Sequence, residues 1–367
     1  MLWIALVALV GSFLASVAAT YCVRGWARRR QFVDHPGGHK GHAQPVALGG
    51  GIAITACICL PLVAVTLAAH LVLRAGGVDR LPPIFITHQE GIAAKLPEVL
   101  AIVAGALVLH VLGLVDDVKA LGFVPKLVAQ FAVAIVIVWL FGIRACEVLG
   151  TPASIVLTVL WIVLITNAFN FLDNMDGLSA GVAAIAGTIF AASALRTGQI
   201  FVPAMTFIFV GTLVGFLVFN FSPAGIFMGD AGSMVVGYFM AVLTVLTTFY
   251  DPKQNLQPTG VLIPLIVLAV PLYDVASVCW HRVRAGHSPF RGDRRHFSHR
   301  LVQRGMSPRA AVLTIYLATA ATGLSAVLLP KADRLTAALA FAQCLCIVLI
   351  IAVLEHAGRP GPPGDTP

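Results

Sequence analysis

Asn170, Asp173 and Asp176 stand three residues apart within NAFNFLDNMDG, residues 167–177, in a chain otherwise poor in charge. If this stretch is helical, they wind slowly around one face as a ladder of oxygen donors. An oxygen-only set, without Cys or His, selects a hard cation such as Mg2+, which keeps waters and takes substrate phosphates. Asn and Asp also favour turns. Three amides and two carboxylates within ten positions nevertheless exceed what one cap requires.

Four further polar stretches accompany it. Asp116 and Asp117, in DDVK, close an apolar run. Adjacent carboxylates repel and call for a nearby cation, which suits metal chemistry or general-base work; the plainer reading is a solvated turn that caps the next helix. Lys126 opens the following run, either snorkelling to the interface or holding the phosphate of a lipid. In NFSPAGIFMGDAGS, Gly229 and Gly232 let backbone approach a ligand. Asp230 and the free amides of a helix N-terminus then serve a metal and its phosphates, or Asp230 is simply an N-cap. Phe227 stacks on a nucleobase or anchors in lipid. SPFRGDRRHFSHR offers Arg forks that match phosphate oxygens, with His296 and His299 as donors to a pyrophosphate; a basic loop that touches headgroups is the simpler account. DHPGGHKGH, with His35, His39, Lys40 and His42 among glycines, is a flexible phosphate-contacting segment or a hinge. Asp274 lies inside an apolar run, where an ionisable residue marks a functional site or a buried hydrogen bond between helices.

The elements that must position these residues are membrane helices. The chain has 367 residues, 59% of them hydrophobic and 11% charged, with a mean hydropathy of +0.92. That is too little charge to cover a soluble domain of this length, but enough where lipid replaces water. Apolar runs of about 17–25 residues predict eleven spans at 2–23, 47–73, 97–115, 124–142, 151–168, 178–196, 199–219, 231–249, 259–280, 309–330 and 333–354. The break between the sixth and seventh rests only on RTGQ. The first run lacks a charged n-region and a cleavage site, so it is read as a retained helix. The expected fold is an all-α polytopic membrane protein of about eleven transmembrane helices with a cytoplasm-facing cleft. Residues 1–356 form one integral domain and residues 357–367 a short disordered tail. The seven cysteines lie mostly in apolar runs, with no spacing for a disulfide framework or a zinc site, and are read as small buried hydrophobes.

Odd-numbered loops and the tail hold 16 of the 24 Lys and Arg residues. The positive-inside rule therefore puts these loops in the cytoplasm and the N-terminus outside. All five polar stretches fall in odd loops, whereas the even loops hold only scattered charges. Together they describe a cytoplasm-facing, Mg2+-dependent site for phosphates at the bilayer surface. The net charge of +8 suits anionic lipid or an anionic substrate. A secondary transporter, the rival class, would place ionisable residues near mid-membrane, where only Asp274 is found.

The stretches HPGGHKGHAQPVALGG, GLVDDVKALGFVPKLVAQ, NAFNFLDNMDGLSAG, NFSPAGIFMGDAGS and SPFRGDRRHFSHRL occur in this order between Asp34 and Ser307. In them the chain resembles the polyprenyl-phosphate N-acetylhexosamine-1-phosphate transferases of glycosyltransferase family 4, nearest to the branch that uses UDP-N-acetylglucosamine. The resemblance implies transfer of a sugar-1-phosphate from a UDP-N-acetylhexosamine to undecaprenyl phosphate with release of UMP. It also implies a multi-pass protein of the bacterial inner membrane, serving the first membrane step of cell-envelope polysaccharide synthesis. Mg2+, or Mn2+ in its place, is the implied cofactor, a homodimer the implied assembly, and nucleic acid is not an expected partner. Carried over residue by residue, Asp230 and Asn170 hold Mg2+ with Asp173 nearby, and Lys126 grips the lipid phosphate. Asp176 and Phe227 meet the uracil and Asn220 the nucleoside, beside Gly229. Asp116 and Asp117 face the reacting phosphates, and His296, His299 and Arg300 the pyrophosphate and sugar. The family's alternative is phospho-MurNAc-pentapeptide transfer. Loop nine departs from the common HxHHR pattern, since HFSHR puts Ser298 where a histidine is expected. The loop Arg74–Leu96 is longer than the reaction needs.

Overall fold

Inside a bilayer every backbone N–H and C=O must be paired within the protein, and this chain pairs them in helices. The computed structural model describes residues 2–35, 44–75, 89–250, 255–289 and 295–356. Among them are thirteen α-helices: α1 (Leu2–Arg29), α2 (Gly50–Arg74), α3 (Gln89–Val118), α4 (Phe123–Leu140), α5 (Thr151–Leu172), α6 (Leu178–Arg196), α7 (Phe201–Asn220), α8 (Gly229–Leu246), α9 (Ile263–Val267), α10 (Ala269–Arg284), α11 (Phe297–Gln303), α12 (Pro308–Ala326) and α13 (Arg334–His356). Two-residue strands β1 (Val33–Asp34) and β2 (Val46–Ala47) pair antiparallel. Ten helices are long and apolar enough to cross a membrane, or eleven when the bent pair around Leu268 is taken as one span. The chain is an all-α polytopic membrane protein.

Several boundaries differ from expectation for local reasons. The ninth span is not straight: a 3-10 turn Pro258–Leu262 leads into α9, and Pro258–Val267 meets α10 at a bend of 63°. Pro264 and Pro271, near the starts of the two α-helical pieces, withhold the N–H groups that a continuous helix would need there. α3 runs on to Val118, so Asp116 and Asp117 lie on its last turn and not in a loop. The break at RTGQ is present, with Gly198 at φ +73 between α6 and α7. Cys57, Cys59 and Cys344 are buried as expected, whereas Cys22 and Cys346 lie on the outer surface. His39, Lys40 and His42, most of the loop before α3, and the tail 357–367 lie outside the described residues.

α8 occupies the centre. Every residue from Ala231 to Val245 is buried, and the helix packs against α2, α3, α5, α6 and α7. Lipid supplies little hydrophobic drive between helices, so close backbone approach through small residues carries the association. Gly51 of α2 meets Gly232 of α8 in this way. A Cβ on Gly51 would lie 2.6 Å from the Ala231 carbonyl carbon and 2.8 Å from the Gly232 Cα. Substitution Gly51→Ala should therefore force the helices apart, at about 1–3 kcal/mol, and lower the melting temperature in detergent. Gly11→Ala, at a site with nothing within 4 Å, should not, and melting curves of the two variants test the packing.

Candidate active site

The first amides of a helix have no partner within it and favour an anion. The N-cap of α8, Met228, offers no side-chain acceptor, so the acceptor comes from α3. Asp117 Oδ1 accepts from the Asp230 N–H at 2.7 Å, and its Oδ2 accepts from the Ala231 N–H at 3.3 Å. Gly229, at φ +67, makes this possible, because a Cβ there would lie 2.8 Å from the Asp117 Cγ. Two expectations change accordingly. The open side of Gly229 is filled by Asp117, and that of Gly232 by Gly51, so neither presents bare backbone to a ligand. Asp230 is not an N-cap either: it lies in the first turn with its side chain turned to other charges.

The partners of Asp230 gather from three helices. Lys126 Nζ of α4 lies 2.7 Å from Asp230 Oδ2 and 2.9 Å from Asp116 Oδ2. Asp116 Oδ1 accepts from the Leu121 N–H at 2.8 Å. From α5, Asn170 Nδ2 donates to Asp230 Oδ1 at 3.1 Å and to Ser233 Oγ at 2.8 Å. Lys126 thus sits inside the carboxylate cluster, not out at the interface. Ser233 escaped sequence reading although it ends the quoted GDAGS, one helical turn beyond Asp230. Gln130 was missed too; its amide pairs with that of Asn167 at 2.5 Å, with no signal but a polar residue in an apolar run.

The expected ladder of three is broken. α5 ends at Leu172, so only Asn170 is helical and Asp173 is the C-cap. Asp176 instead accepts from the Ala224 N–H at 2.9 Å. Asn220 accepts from the Gly177 N–H at 3.1 Å and donates to the Ile226 carbonyl at 2.9 Å. These two residues staple the segment that carries Phe227 onto the aspartate loop. Phe227 in turn joins β2, its N–H donating to the Ala47 carbonyl at 2.8 Å, which draws the first loop into the same cluster.

The histidine segment docks on the other side. Asp274 of α10, fully buried, lies 2.8 Å from His296 Nδ1 and accepts from the Phe297 N–H at 3.2 Å. This fixes the orientation of the ring and leaves Nε2 as the nitrogen that Asp274 does not engage. His296 meets the Phe171 ring edge-on at 6.0 Å and lies 6.4 Å from the His299 ring. Ser298, also fully buried, donates to Asn174 Oδ1 at 2.6 Å. The departure from histidine at this position therefore serves a compact bond to the aspartate loop. Arg300 turns away, to Glu355 at 2.7 Å.

Asp173 is half-buried, and its carboxylate accepts no hydrogen bond among the described residues. Its pKa is pushed well above the usual carboxylate range, first by burial and then by repulsion from Asp230, Asp117 and Asp176. No three Asp, Glu, His or Cys groups among the described residues converge as a closed metal site. The donors nonetheless fit a hard divalent cation: they are oxygens, with Asp116 and Asp230 on Lys126 and Asp117 and Asp173 within reach of the charge on Asp230.

Comparison with known proteins follows the same residues. The model for glycosyl transferase family 4 matches residues 99–248, from α3 through α8. A probable undecaprenyl-phosphate N-acetylglucosaminyl 1-phosphate transferase of Bacillus subtilis is 31% identical over 336 residues, covering 89% of this chain and 85% of that protein. The chain belongs to glycosyl transferase family 4. Other relatives include a decaprenyl-phosphate N-acetylglucosaminephosphotransferase of Mycobacterium leprae, 35% identical across 84% of this chain and 80% of its own. The undecaprenyl-phosphate alpha-N-acetylglucosaminyl 1-phosphate transferase of Escherichia coli is 27% identical, with coverage of 85% and 80%.

Because burial and neighbouring carboxylates raise the pKa of Asp173 in the folded chain, its contribution to stability falls as pH rises above the ordinary carboxylate value. In EDTA, Asp173→Asn should melt above the parent protein by a margin that widens as pH rises above the ordinary carboxylate value. Melting curves with a margin independent of pH would contradict the charge cluster.

Proposed function

We propose that the protein transfers N-acetylglucosamine-1-phosphate from UDP-N-acetylglucosamine to undecaprenyl phosphate, giving a lipid-diphosphate sugar and UMP. One observation carries this reading: Lys126, Asp116, Asp230 and Asn170 meet at the ends of α3, α4, α5 and α8. This is a charged cluster at a membrane boundary, in a chain whose relatives are named for this transfer. The positive-inside bias supports a cytoplasmic site in the bacterial inner membrane with the N-terminus outside. Residues 1–356 act as one integral domain, and a homodimer is proposed on the family's precedent.

The acceptor is a phosphate monoester with a second pKa near 6, so near pH 7 it needs little deprotonation. Its oxygen attacks the β-phosphorus in line, the new P–O bond forms as the bond to the bridging oxygen breaks, and UMP leaves with the electron pair. Lys126 exchanges a carboxylate for the acceptor phosphate and orients it. Asp230 and Asn170, with Asp173, would hold Mg2+, which neutralises the diphosphate when bound. Asp117 fits a positioning role, since both its oxygens accept backbone N–H groups of α8. An aspartyl nucleophile would have to abandon them, which supports direct attack over a two-step route. Asp116 holds Lys126. Asp176 and Asn220 fix the segment that brings Phe227 to the uracil, next to Gly229. His296 and His299 donate to the pyrophosphate and sugar.

The test is UMP release by purified protein in detergent with undecaprenyl phosphate, Mg2+ and a panel of UDP-sugars, including UDP-MurNAc-pentapeptide. Release should require Mg2+, favour UDP-N-acetylglucosamine and vanish in EDTA. Asp230→Asn should insert normally and lose turnover; full activity in that variant would remove the central claim. For Lys126→Ala the lipid KM should rise, and a change confined to the UDP-sugar KM would contradict the role given to it.

A further inference from the structure

Glu355, next to last in α13, has no part in any motif, yet its side chain is 1% exposed. Its Oε2 accepts from Arg300 Nε at 3.1 Å and Nη2 at 2.7 Å, and its Oε1 from Tyr273 Oη at 2.8 Å. Its backbone carbonyl accepts from Arg304 Nε at 3.2 Å. Arg300 is committed on all three nitrogens, because Nη1 also donates to the Arg295 carbonyl and Nη2 to Ser277 Oγ. One carboxylate from the last transmembrane helix therefore ties Tyr273 on α10 to Arg300 on α11.

What hangs on this tie is α11 itself. It has seven residues, too few to hold a helix without tertiary support. It carries Ser298 and His299 and follows His296 directly. Two hooks fix its first turn, His296 to Asp274 and Ser298 to Asn174. Glu355 fixes the rest. For Arg300 to reach a substrate phosphate it would have to give up both of its bonds to the buried Glu355 carboxylate, and breaking a buried ion pair is strongly unfavourable.

We propose that Glu355 is a positioning residue for the transfer reaction, holding α11 through Arg300, and that Arg300 acts by this clamp and does not touch the diphosphate. The inference rests on the transfer reaction proposed above. A clamp that sets the aim of His296 and His299 affects the reacting geometry more than donor binding, and small misplacements there cost up to about a hundredfold in rate.

The experiment uses the full chain in detergent and measures UMP release together with hydrogen exchange of residues 297–303 by mass spectrometry. Glu355→Gln should lower kcat by about tenfold to a hundredfold, leave the KM for UDP-N-acetylglucosamine within about twofold, and speed exchange in α11. The reciprocal pair Arg300→Glu with Glu355→Arg should recover part of kcat over either single change. Should Glu355→Gln fail to fold, Tyr273→Phe removes one bond only and should give the same split in smaller measure. The proposal is overturned if these variants raise the donor KM at unchanged kcat, or if α11 exchange does not respond. Absence of UMP release from the parent protein, with α11 loosening in Glu355→Gln, would sink the transfer reaction and leave the clamp standing.

Discussion

Lipid offers nothing to the first amides of a helix, and in α8 they are met by a carboxylate from another helix. Asp117 reaches from α3 to the N–H groups of Asp230 and Ala231. Hydrogen bonds to a charged acceptor contribute about 1.5–3 kcal/mol each, and here they also set the register of the central helix. Asp230 follows Gly229 directly, so fixing this turn fixes where its carboxylate meets Lys126 and Asn170. The glycine that admits Asp117 and the glycines that let α2 approach α8 belong to one arrangement. Packing and chemistry are settled by the same few atoms.

That arrangement carries a charge imbalance. Asp116 and Asp230 share Lys126, and Asp173 feels Asp230, Asp117 and Asp176 without a hydrogen-bond donor among the described residues. A protein under pressure for stability alone would replace one of these aspartates. Keeping them poises the site for cationic and phosphate-bearing ligands, whose binding relieves the repulsion. The cost falls on the empty protein.

The basic half of the site is built differently. α11 is held by side chains from three places: Asp274 on α10, Asn174 in the aspartate loop and Glu355 at the end of α13. Acidic and amide groups act as anchors for a histidine segment that cannot hold its own shape. The bend of 63° in the ninth span brings α10 into this frame. What looks like an irregular helix is the support on which both Asp274 and Tyr273 stand.

The membrane helices, to within the bent pair around Leu268, and the oxygen-rich donor set were legible in the sequence. Each follows from local rules: bilayer thickness fixes run length, and scarce charge in an apolar chain stands out. The break at RTGQ was legible for the same reason. Which polar group answers which was not legible. The spacing of Asn170, Asp173 and Asp176 pointed to one helical face, but α5 stops at Leu172, so Asn170 meets Asp230 while Asp176 turns to the Ala224 N–H. Gly229 and Gly232 pointed to a ligand, and tertiary packing filled them with Asp117 and Gly51. Arg300 read as a phosphate fork, and Glu355, 55 residues further on, claims it. Sequence alone determined the solvent and which polar residues were candidates for chemistry, because composition and period are local quantities. Only the tertiary structure decided the pairing, because a buried charge or amide must be satisfied by whatever group the packing brings within reach.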